Sequence, residues 1–375
     1  MLGQHYRVGT KHYNNVYAGL YASALTQTFC ENVIPQYHLE RFASVDLAAL
    51  EHVTTQQLID KKLRVLRDMH DRIRFHYTGG SDSHTIMLAA QRLGIQFEEY
   101  FLHTNSIHGD PYVEEEFVPG IEYLRSIGVP RTVHRPRIQD FERVWFDSDC
   151  FTKYGDFYHG FVPWYSEVFL DYYDRDYFEL LGVDKPFYYQ DTQGNYYWLV
   201  RDDYDYCVNT EHEDFFLGSE CAELTVKQVM QGYQYALAHD AKPGFIVYKD
   251  WDQQDYFNHL GLHPGIDRKY QQHKTAQQHT QTGYFNEKHR RSMQEVISMG
   301  RQDIVDAWID TSRVIVDALL PAPWGIDVHT IDLPEHNSEV TLSTNIARIG
   351  AIFKITSTNL ELLPHTDINR LTQDE

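Results

Sequence analysis

The sequence predicts an α/β protein in which helices cover a parallel sheet. Segments with strand and helix periodicity alternate from about residue 54 to residue 135, and the connections between them have the length that parallel strands need. A polar, glycine-rich turn at residues 77–85 joins the first strand of this run to a helix. Ligands of such sheets bind beyond the carboxyl ends of the strands, which is where this turn lies.

The first helix of the run is predicted to begin at Thr54. Thr54 and Gln57 have the spacing of a capping box, in which each side chain bonds to the other residue's backbone amide. Apolar residues then recur on one helix face, at Leu58, Ile59, Leu63, Leu66 and Met69. The next segment, RIRFHY at residues 72–77, alternates apolar and polar side chains, so we predict a strand there.

The rest of the run repeats this pattern. A second helix follows the turn and is predicted to end at Gly94, and a second strand is predicted at residues 97–102. Asp110 and Pro111 are expected to start a third helix, which Pro119 should kink or split. The segment RTVHR, residues 131–135, predicts the third strand.

Three regions are predicted along the chain. Residues 1–53 form an N-terminal lead-in segment without a clear period, residues 54–240 form the α/β domain, and residues 241–375 form a mainly helical C-terminal region. The alternating tail at residues 340–358 predicts a terminal β-hairpin, and GNYYWLV, residues 194–200, predicts the second arm of another hairpin. Further helices are predicted at two places, 220–238 and 302–320.

The turn has the composition of an anion site. A strand that runs directly into a helix brings backbone amides and the positive end of the helix dipole together. Gly79 and Gly80 leave these amides open to a phosphate chain because they carry no side chain. Thr78, Ser81 and Ser83 add hydroxyl donors. The same residues also allow a simpler interpretation, in which a glycine-rich turn only caps a helix.

Asp82 lies within this turn, although a carboxylate repels phosphate. Mg²⁺ between Asp82 and the phosphates removes the conflict, since Mg²⁺ prefers one or two carboxylates together with phosphate oxygens. The sequence therefore predicts a phosphate site with Mg²⁺, in which Asp82 is the metal ligand. The turn has no G-K-[ST] and no G-x-G-x-x-G, so it is neither a Walker A motif nor a dinucleotide-binding fingerprint.

The sequence TGGSDS, residues 78–83, resembles the S-G-G-x-D-S pyrophosphate loop of the PP-loop ATP pyrophosphatases. This adenine nucleotide alpha-hydrolase-like family includes asparagine synthetase, GMP and NAD synthetases, sulfonucleotide reductases and tRNA-modifying enzymes. The resemblance covers about residues 54–135. It implies a Rossmann-like parallel sheet with helices on both faces, of the PP-loop ATPase type, with extra helical and small β elements.

The resemblance also implies a chemistry. ATP would bind at Tyr77, Thr78, Gly79, Gly80, Ser81, Asp82 and Ser83. A substrate oxygen would then attack the α-phosphate, giving an adenylated intermediate and pyrophosphate. Thr78 stands in place of the first serine and keeps a hydroxyl donor, whereas His84 stands where serine or threonine is common.

Absent residues narrow the choice within the family. Leu2 stands where the glutamine-dependent synthetases carry cysteine, and no cysteine follows Cys221, as sulfonucleotide reductases would require. The paired or clustered cysteines of the thiolating and deazapurine-forming branches are missing too. The chain is therefore most similar to the synthetase domain of asparagine synthetase without a glutaminase domain. This implies an ATP-dependent ligase that activates a carboxylate, carbonyl or amide for attack by ammonia or an amine.

Two other functions stay open at this stage. One is a PP-loop enzyme that modifies a nucleobase or a nucleic acid, and the other is a nucleotide-binding protein without turnover. The acceptor is accordingly an unidentified small molecule or nucleobase, and the sequence leaves open whether the chain forms a homo-oligomer.

Four residues outside the turn are further candidates. Lys227 would stabilise charge on the transferring phosphoryl group and Glu223, one turn earlier, would orient it. His103 and Thr104 follow the second strand and would meet adenine. Each also has a structural interpretation, because helix lysines are mostly solvated and because such residues often only end a strand.

Composition disfavours broad binding to nucleic acid and to membranes. The net charge of −21 works against broad binding of nucleic acid or anionic membranes, and the basic run EKHRRS, residues 287–292, is expected to be a solvated helix face. No segment reaches the roughly 18 to 20 apolar residues of a membrane span, and the first residues lack the apolar centre of a secretory signal. We therefore expect a cytoplasmic protein whose four cysteines are reduced and structural.

Overall fold

The structure is a computed structural model of the chain. It describes residues 6–13, 16–28, 30–32, 39–104, 106–114, 117–146, 177–182, 186–201, 212–246, 251, 253–263, 281–319, 325–327, 330–332, 341–343 and 346–364.

The helices and strands within these residues follow in chain order. The helices are α1 (Val16–Thr26), α2 (Leu39–Ala43), α3 (Leu47–Leu50), α4 (Thr55–Met69), α5 (Ser81–Leu93), α6 (Phe117–Ser126), α7 (Ile138–Phe146), α8 (Ala222–Ala238), α9 (Gln253–His259), α10 (Gln281–Ser298) and α11 (Gln302–Leu319). The strands are β1 (Tyr6–Val8), β2 (Lys11–Tyr13), β3 (Cys30–Asn32), β4 (Ile73–His76), β5 (Glu99–His103), β6 (Arg131–His134), β7 (Phe178–Leu181), β8 (Phe187–Gln190), β9 (Tyr196–Arg201), β10 (His212–Asp214), β11 (Gly244–Ile246), β12 (Gly325–Asp327), β13 (Thr330–Asp332), β14 (Thr341–Ser343), β15 (Ile346–Ile355) and β16 (Leu360–Leu362).

A five-stranded parallel sheet forms the centre of the α/β unit. Its order is β6-β5-β4-β7-β10, and all four pairings between neighbouring strands are parallel. In chain order, β5 and β6 are added on one side of β4. Strands β7 and β10 are then added on its other side. This α/β arrangement fits a Rossmann-like fold in general, and it confirms the predicted parallel sheet.

One face of this sheet is apolar and is covered by α4, α5 and α6. Ile73 and Phe75 of β4 belong to a buried cluster that also includes Leu63 of α4, Ala89 of α5 and Leu124 of α6. The helices lie on this face because their apolar residues repeat at helical spacing, as the sequence predicts for α4 and α5. The predicted helical cover of the opposite face stays a prediction.

The opposite face is buried as well, but it mixes apolar residues such as Phe101 with charged side chains. Glu179 of β7 is fully buried and accepts hydrogen bonds from Arg74 Nη1 at 2.9 Å and His76 Nε2 at 2.8 Å. Arg74 Nε donates to Glu99 of β5 at 2.6 Å. Buried charges need such partners, so this network links the three central strands and fixes their register.

The element boundaries agree with most of the predicted ones and correct one of them. The capping box at Thr54 and Gln57 is present, and Gly94 ends α5 with a left-handed backbone. The predicted helix start at Asp110 is instead a turn, in which Asp110 Oδ1 accepts from the backbone amides of Tyr112 and Val113. Helix α6 begins only at Phe117, so Pro119 lies in its first turn, where proline is tolerated.

A second sheet is antiparallel and joins distant parts of the chain. Its order is β11-β8-β9-β15-β12, and β16 pairs with β15. Strands β8 and β9 form the hairpin that GNYYWLV predicts, while β15 forms a hairpin with β16 and also pairs with β9. The sheet thus takes strands from both sides of residue 240, where the sequence places a domain boundary.

Helix α8 connects the two sheets. It packs against α4 on one side and contacts the second sheet on the other, where the Tyr188 hydroxyl donates to Val229 O at 3.0 Å. Gly232 permits this approach, since a β-carbon there would lie 2.2 Å from the Tyr188 hydroxyl oxygen. Near the N-terminus, β2, β1 and β3 form a small antiparallel sheet, and α1 packs against α11. None of the described helices combines the length and the apolar character needed to cross a membrane.

Candidate functional site

The polar turn lies where the strand order of the parallel sheet reverses. Residues 77–80 connect the carboxyl end of β4 to the N-terminus of α5, and β4 separates the strands added on one side from those added on the other. In open α/β sheets the crevice at such a reversal is the usual ligand site. The turn therefore occupies the place that both its composition and the sheet topology predict.

Gly182, which follows β7, brings the second wall of this crevice close to α5. A β-carbon at Gly182 would lie 3.0 Å from the Ser83 backbone nitrogen and 3.0 Å from Ile86 Cδ1. A larger residue would force these neighbours to shift, so glycine favours the close approach of β7 to the first turn of α5. The N-terminus of α5 is consequently held between the carboxyl ends of β4 and β7.

The two glycines of the turn have different structural roles. Gly79 has a φ of 81°, a left-handed conformation that favours glycine. Gly80 has an ordinary φ of −68° and is the N-cap of α5, where it provides no side-chain cap. The Ser, Thr, Asp or Asn that usually covers a helix N-terminus is thus replaced by a residue that leaves this position open.

The hydroxyl groups of Thr78 and Ser83 bond to each other and to backbone amides of the turn. Thr78 Oγ1 and Ser83 Oγ lie 3.1 Å apart, the Thr78 amide donates to Ser83 Oγ at 3.2 Å, and the Gly80 amide donates to Thr78 Oγ1 at 3.2 Å. Ser83 is buried whereas Thr78 is exposed. Ser83 therefore shapes the turn from inside, whereas Gly80, Ser81 and Asp82 are partly buried.

Asp82 lies in the first turn of α5, where the helix dipole stabilises a negative charge. Its side chain is partly buried, and Oδ1 is shielded from solvent. In the described part of the chain, no group of three or more His, Cys, Asp or Glu side chains could hold a metal ion. The predicted Mg²⁺ site at Asp82 stays a prediction.

Tyr77 and His84 form a buried pair beneath the turn. The Tyr77 hydroxyl lies 2.9 Å from His84 Nδ1, and both side chains are buried. Burial, and then the charge of His263, lowers the pKa of His84 to about 4, while burial raises the pKa of Tyr77. At neutral pH the imidazole of His84 is therefore neutral, and its hydrogen bond with the Tyr77 hydroxyl anchors α5 beneath the turn.

His103 and Thr104 lie at the carboxyl end of β5, on the same side of the sheet as the turn. Thr104 is buried, and its amide continues the parallel ladder by donating to His134 O at 3.2 Å. His103 is half-buried. Burial lowers its pKa to about 3, with smaller contributions from His76 and His134, so His103 is neutral at physiological pH. The structure thus places both residues one strand away from the turn.

Lys227 and Glu223 bond to elements other than the turn. Lys227 Nζ donates to Leu50 O at 2.8 Å, which satisfies a carbonyl at the C-terminal end of α3. Glu223 pairs with Lys61 of α4 at 2.7 Å on a half-exposed surface. These contacts favour the structural interpretation of both residues, and their predicted catalytic roles stay predictions.

The basic run at 287–292 lies in α10, and its described arginines are engaged by acids. Glu287 pairs with Arg290 at 2.8 Å and with Arg291 at 2.7 Å. Arg291 also pairs with Asp110 at 3.2 Å, just beyond β5. Arg291 therefore links α10 to the loop after β5. This contact differs from the expectation that the basic run is a solvated helix face.

Sequence patterns did not identify Gly182 or Glu295 as residues near the carboxyl ends of the parallel strands. Gly182 follows β7, whose short, aromatic surroundings show no clear period. Glu295 reaches the loop after β5 from α10, almost 190 residues from the residues that it contacts. Only the rule that the carboxyl ends of parallel strands lie together would have selected Gly182, once β7 was known.

Comparison with known proteins adds no relative: no family model, no curated protein and no solved structure matches the chain. The site is therefore defined by its own geometry. It is a glycine-capped helix N-terminus with one partly buried carboxylate, placed at the strand-order reversal of a parallel sheet.

Proposed function

We propose that the chain is an ATP-dependent adenylating enzyme of the PP-loop type. The observation that carries the proposal is the glycine-capped N-terminus of α5 at the strand-order reversal, formed by the sequence TGGSDS. Helix N-termini of this kind bind phosphate through backbone amides and the helix dipole. The pyrophosphate part of ATP would lie over the partly buried Gly80 and the first turn of α5, and the base would extend toward His103 at the end of β5.

Asp82 would hold Mg²⁺ against the phosphates. When bound, this ion neutralises charge on the phosphate oxygens and stabilises the leaving pyrophosphate. Thr78 and Ser81 would donate to the same oxygens, and the buried Tyr77–His84 pair would keep the first turn of α5 in place. His103, neutral at physiological pH, would contact the base without adding charge.

The reaction that we propose has two steps. An acceptor oxygen attacks the α-phosphorus of ATP, the bond to the oxygen that bridges the α- and β-phosphates breaks, and pyrophosphate leaves. Ammonia or an amine then attacks the activated carbon, AMP leaves with the acceptor oxygen, and the nitrogen loses a proton to solvent. The nitrogen nucleophile is the part that rests on the resemblance to asparagine synthetase.

A nucleotide-binding protein without turnover is the second candidate. It is favoured by the contacts of Lys227 and Glu223, because both residues stabilise the α8 packing instead of facing the turn. Such a protein would bind MgATP through the same turn and release no pyrophosphate.

Pyrophosphate release from MgATP in the presence of a panel of carboxylates, amides and nucleobases, with ammonia, distinguishes the two candidates. Asp82→Asn should reduce release by roughly 100-fold or more while the far-ultraviolet circular dichroism stays unchanged, because a metal ligand contributes several kcal/mol. Asp310→Asn, which changes an exposed acid of α11, is the matched control. MgATP binding without release would favour the second candidate, and no binding would exclude both.

A further inference from the structure

The loop that follows β5 is held by a carboxylate from a distant helix. Glu295 of α10 accepts hydrogen bonds from Ser106 Oγ at 2.7 Å, from the Ile107 amide at 2.7 Å and from the His108 amide at 3.3 Å. Both carboxylate oxygens take part. We call residues 106–110 the β5 loop.

A second set of bonds closes the β5 loop on itself and on α10. Ser106 Oγ also accepts from the amides of Gly109 at 2.8 Å and Asp110 at 2.7 Å, and Ser106 is fully buried. Arg291, one turn before Glu295, donates to the Asp110 carboxylate and lies over the Tyr112 ring at 4.6 Å. The β5 loop and α10 therefore form one hydrogen-bonded unit.

The β5 loop lies on the same side of the sheet as the proposed nucleotide site. β5 is the neighbour of β4 in the parallel sheet, so the β5 loop and the turn before α5 emerge at the same edge. Charge-assisted bonds from one carboxylate to two backbone amides hold a loop more rigidly than neutral bonds would. A loop fixed in this way can provide a preformed wall for a ligand, which lowers the entropy lost on binding.

We propose that Glu295 is a positioning residue, which fixes the β5 loop as the base-side wall of the nucleotide site and thereby couples α10 to nucleotide binding. This inference rests on the proposed function, since it requires MgATP at the turn before α5. The coupling is reciprocal: if α10 helps to order the wall, bound MgATP must in turn stabilise the packing of α10.

Glu295→Gln is the variant that tests the coupling. Gln keeps the size of the side chain, but its amide nitrogen cannot accept a hydrogen bond from a backbone amide or a hydroxyl. The Kd for MgATP by calorimetry and the KM for MgATP in pyrophosphate release should both rise about 10-fold, with kcat within about twofold, because a binding wall and not the reacting atoms is altered. Asp306→Asn, on an exposed face of α11, should change neither constant.

Hydrogen exchange of the unaltered protein provides a readout that does not depend on a variant. MgATP should slow amide exchange in residues 106–110 and in α10, and the slowing in α10 should be absent from Glu295→Gln. Equal falls in kcat and kcat/KM, unchanged MgATP affinity in Glu295→Gln, or unchanged exchange in α10 would each overturn the coupling while the proposed function stands. If the unaltered protein does not bind MgATP, the proposed function fails and the coupling fails with it.

Discussion

Helices α4 and α5 pack against each other, yet their N-termini are built differently. At α4, Thr54 Oγ1 accepts from the Gln57 amide at 3.2 Å and Gln57 Oε1 accepts from the Thr54 amide at 2.8 Å. At α5, the N-cap is Gly80 and provides no side-chain bond. The capping box occupies two of the amides that an anion would otherwise bind, those of Thr54 and Gln57. At α5 the Gly80 amide donates to Thr78 Oγ1, but no cap side chain covers the amides of the first helical turn.

Glycine at the N-cap of α5 costs little stability. A good N-cap residue contributes about 1 kcal/mol relative to alanine but only a few tenths relative to glycine, so Gly80 loses little stability while leaving the position uncovered. The first turn of α5 also lies so close to Gly182 that a β-carbon there would be 3.0 Å from the Ser83 nitrogen. The capping box of α4 thus stabilises its helix, whereas the uncovered start of α5 is the feature on which the proposed phosphate site rests.

Gly182→Ala should have the largest effect on the start of α5, in both stability and MgATP binding. The new β-carbon would lie 3.0 Å from the Ser83 nitrogen, so α5 and the end of β7 must move apart. Overpacking of this kind costs about 1 to 3 kcal/mol of unfolding free energy, and we expect MgATP affinity to fall at least about 10-fold because the turn moves with α5. Chemical denaturation and calorimetry would measure the two effects.

Gly120→Ala is the matched control for Gly182→Ala. Gly120 lies in α6 beside the same turn, but a β-carbon there would be 3.5 Å from Thr78 O, which is an ordinary contact. Stability should be unchanged or higher, since glycine within a helix costs roughly 0.5 to 1 kcal/mol relative to alanine. Equal losses in the two variants would show that the crevice between β4 and β7 has no special role.

Gly80→Asp and Gly80→Asn give α5 an N-cap side chain. They test whether MgATP binding needs the uncovered start of this helix. Both residues are good N-caps, so unfolding free energy should change by only a few tenths of a kcal/mol. MgATP affinity should fall about 10-fold for aspartate, which repels phosphate as well as covering the amides, and about threefold for asparagine, which only covers them. Unchanged affinity in both variants would show that phosphate binds elsewhere.

Local patterns predicted most of the first half of the α/β unit from the sequence. The capping box at Thr54, the strand β4 and the left-handed Gly94 depend on neighbouring residues, so periodicity and spacing were sufficient. The turn before α5 was found for the same reason. Asp110 misled the prediction because its side chain caps a turn with the same bonds that it would use to start a helix.

The second half of the site depends on pairings that no local pattern contains. β7 joins β4 about 100 residues after it, and only this pairing places Gly182 against α5. Lys227 was a candidate because lysines often contact phosphates, but its partner is a carbonyl 177 residues earlier in the chain. Glu295 likewise has no sequence pattern that reveals the amides it binds. Long-range contacts therefore decide which polar residues belong to the candidate site.

Thr54→Ala should have the smallest effect on function and a clear effect on stability. It removes one half of the α4 capping box, which should lower the free energy of unfolding by about 1 kcal/mol. The KM for MgATP should not change, because the proposed phosphate site rests on the start of α5. Denaturant melts and steady-state kinetics on the same preparation would measure both quantities. If Thr54→Ala weakened MgATP binding as much as Gly80→Asp does, the two N-termini would not differ in function. The uncovered start of α5 would then no longer support a phosphate site there.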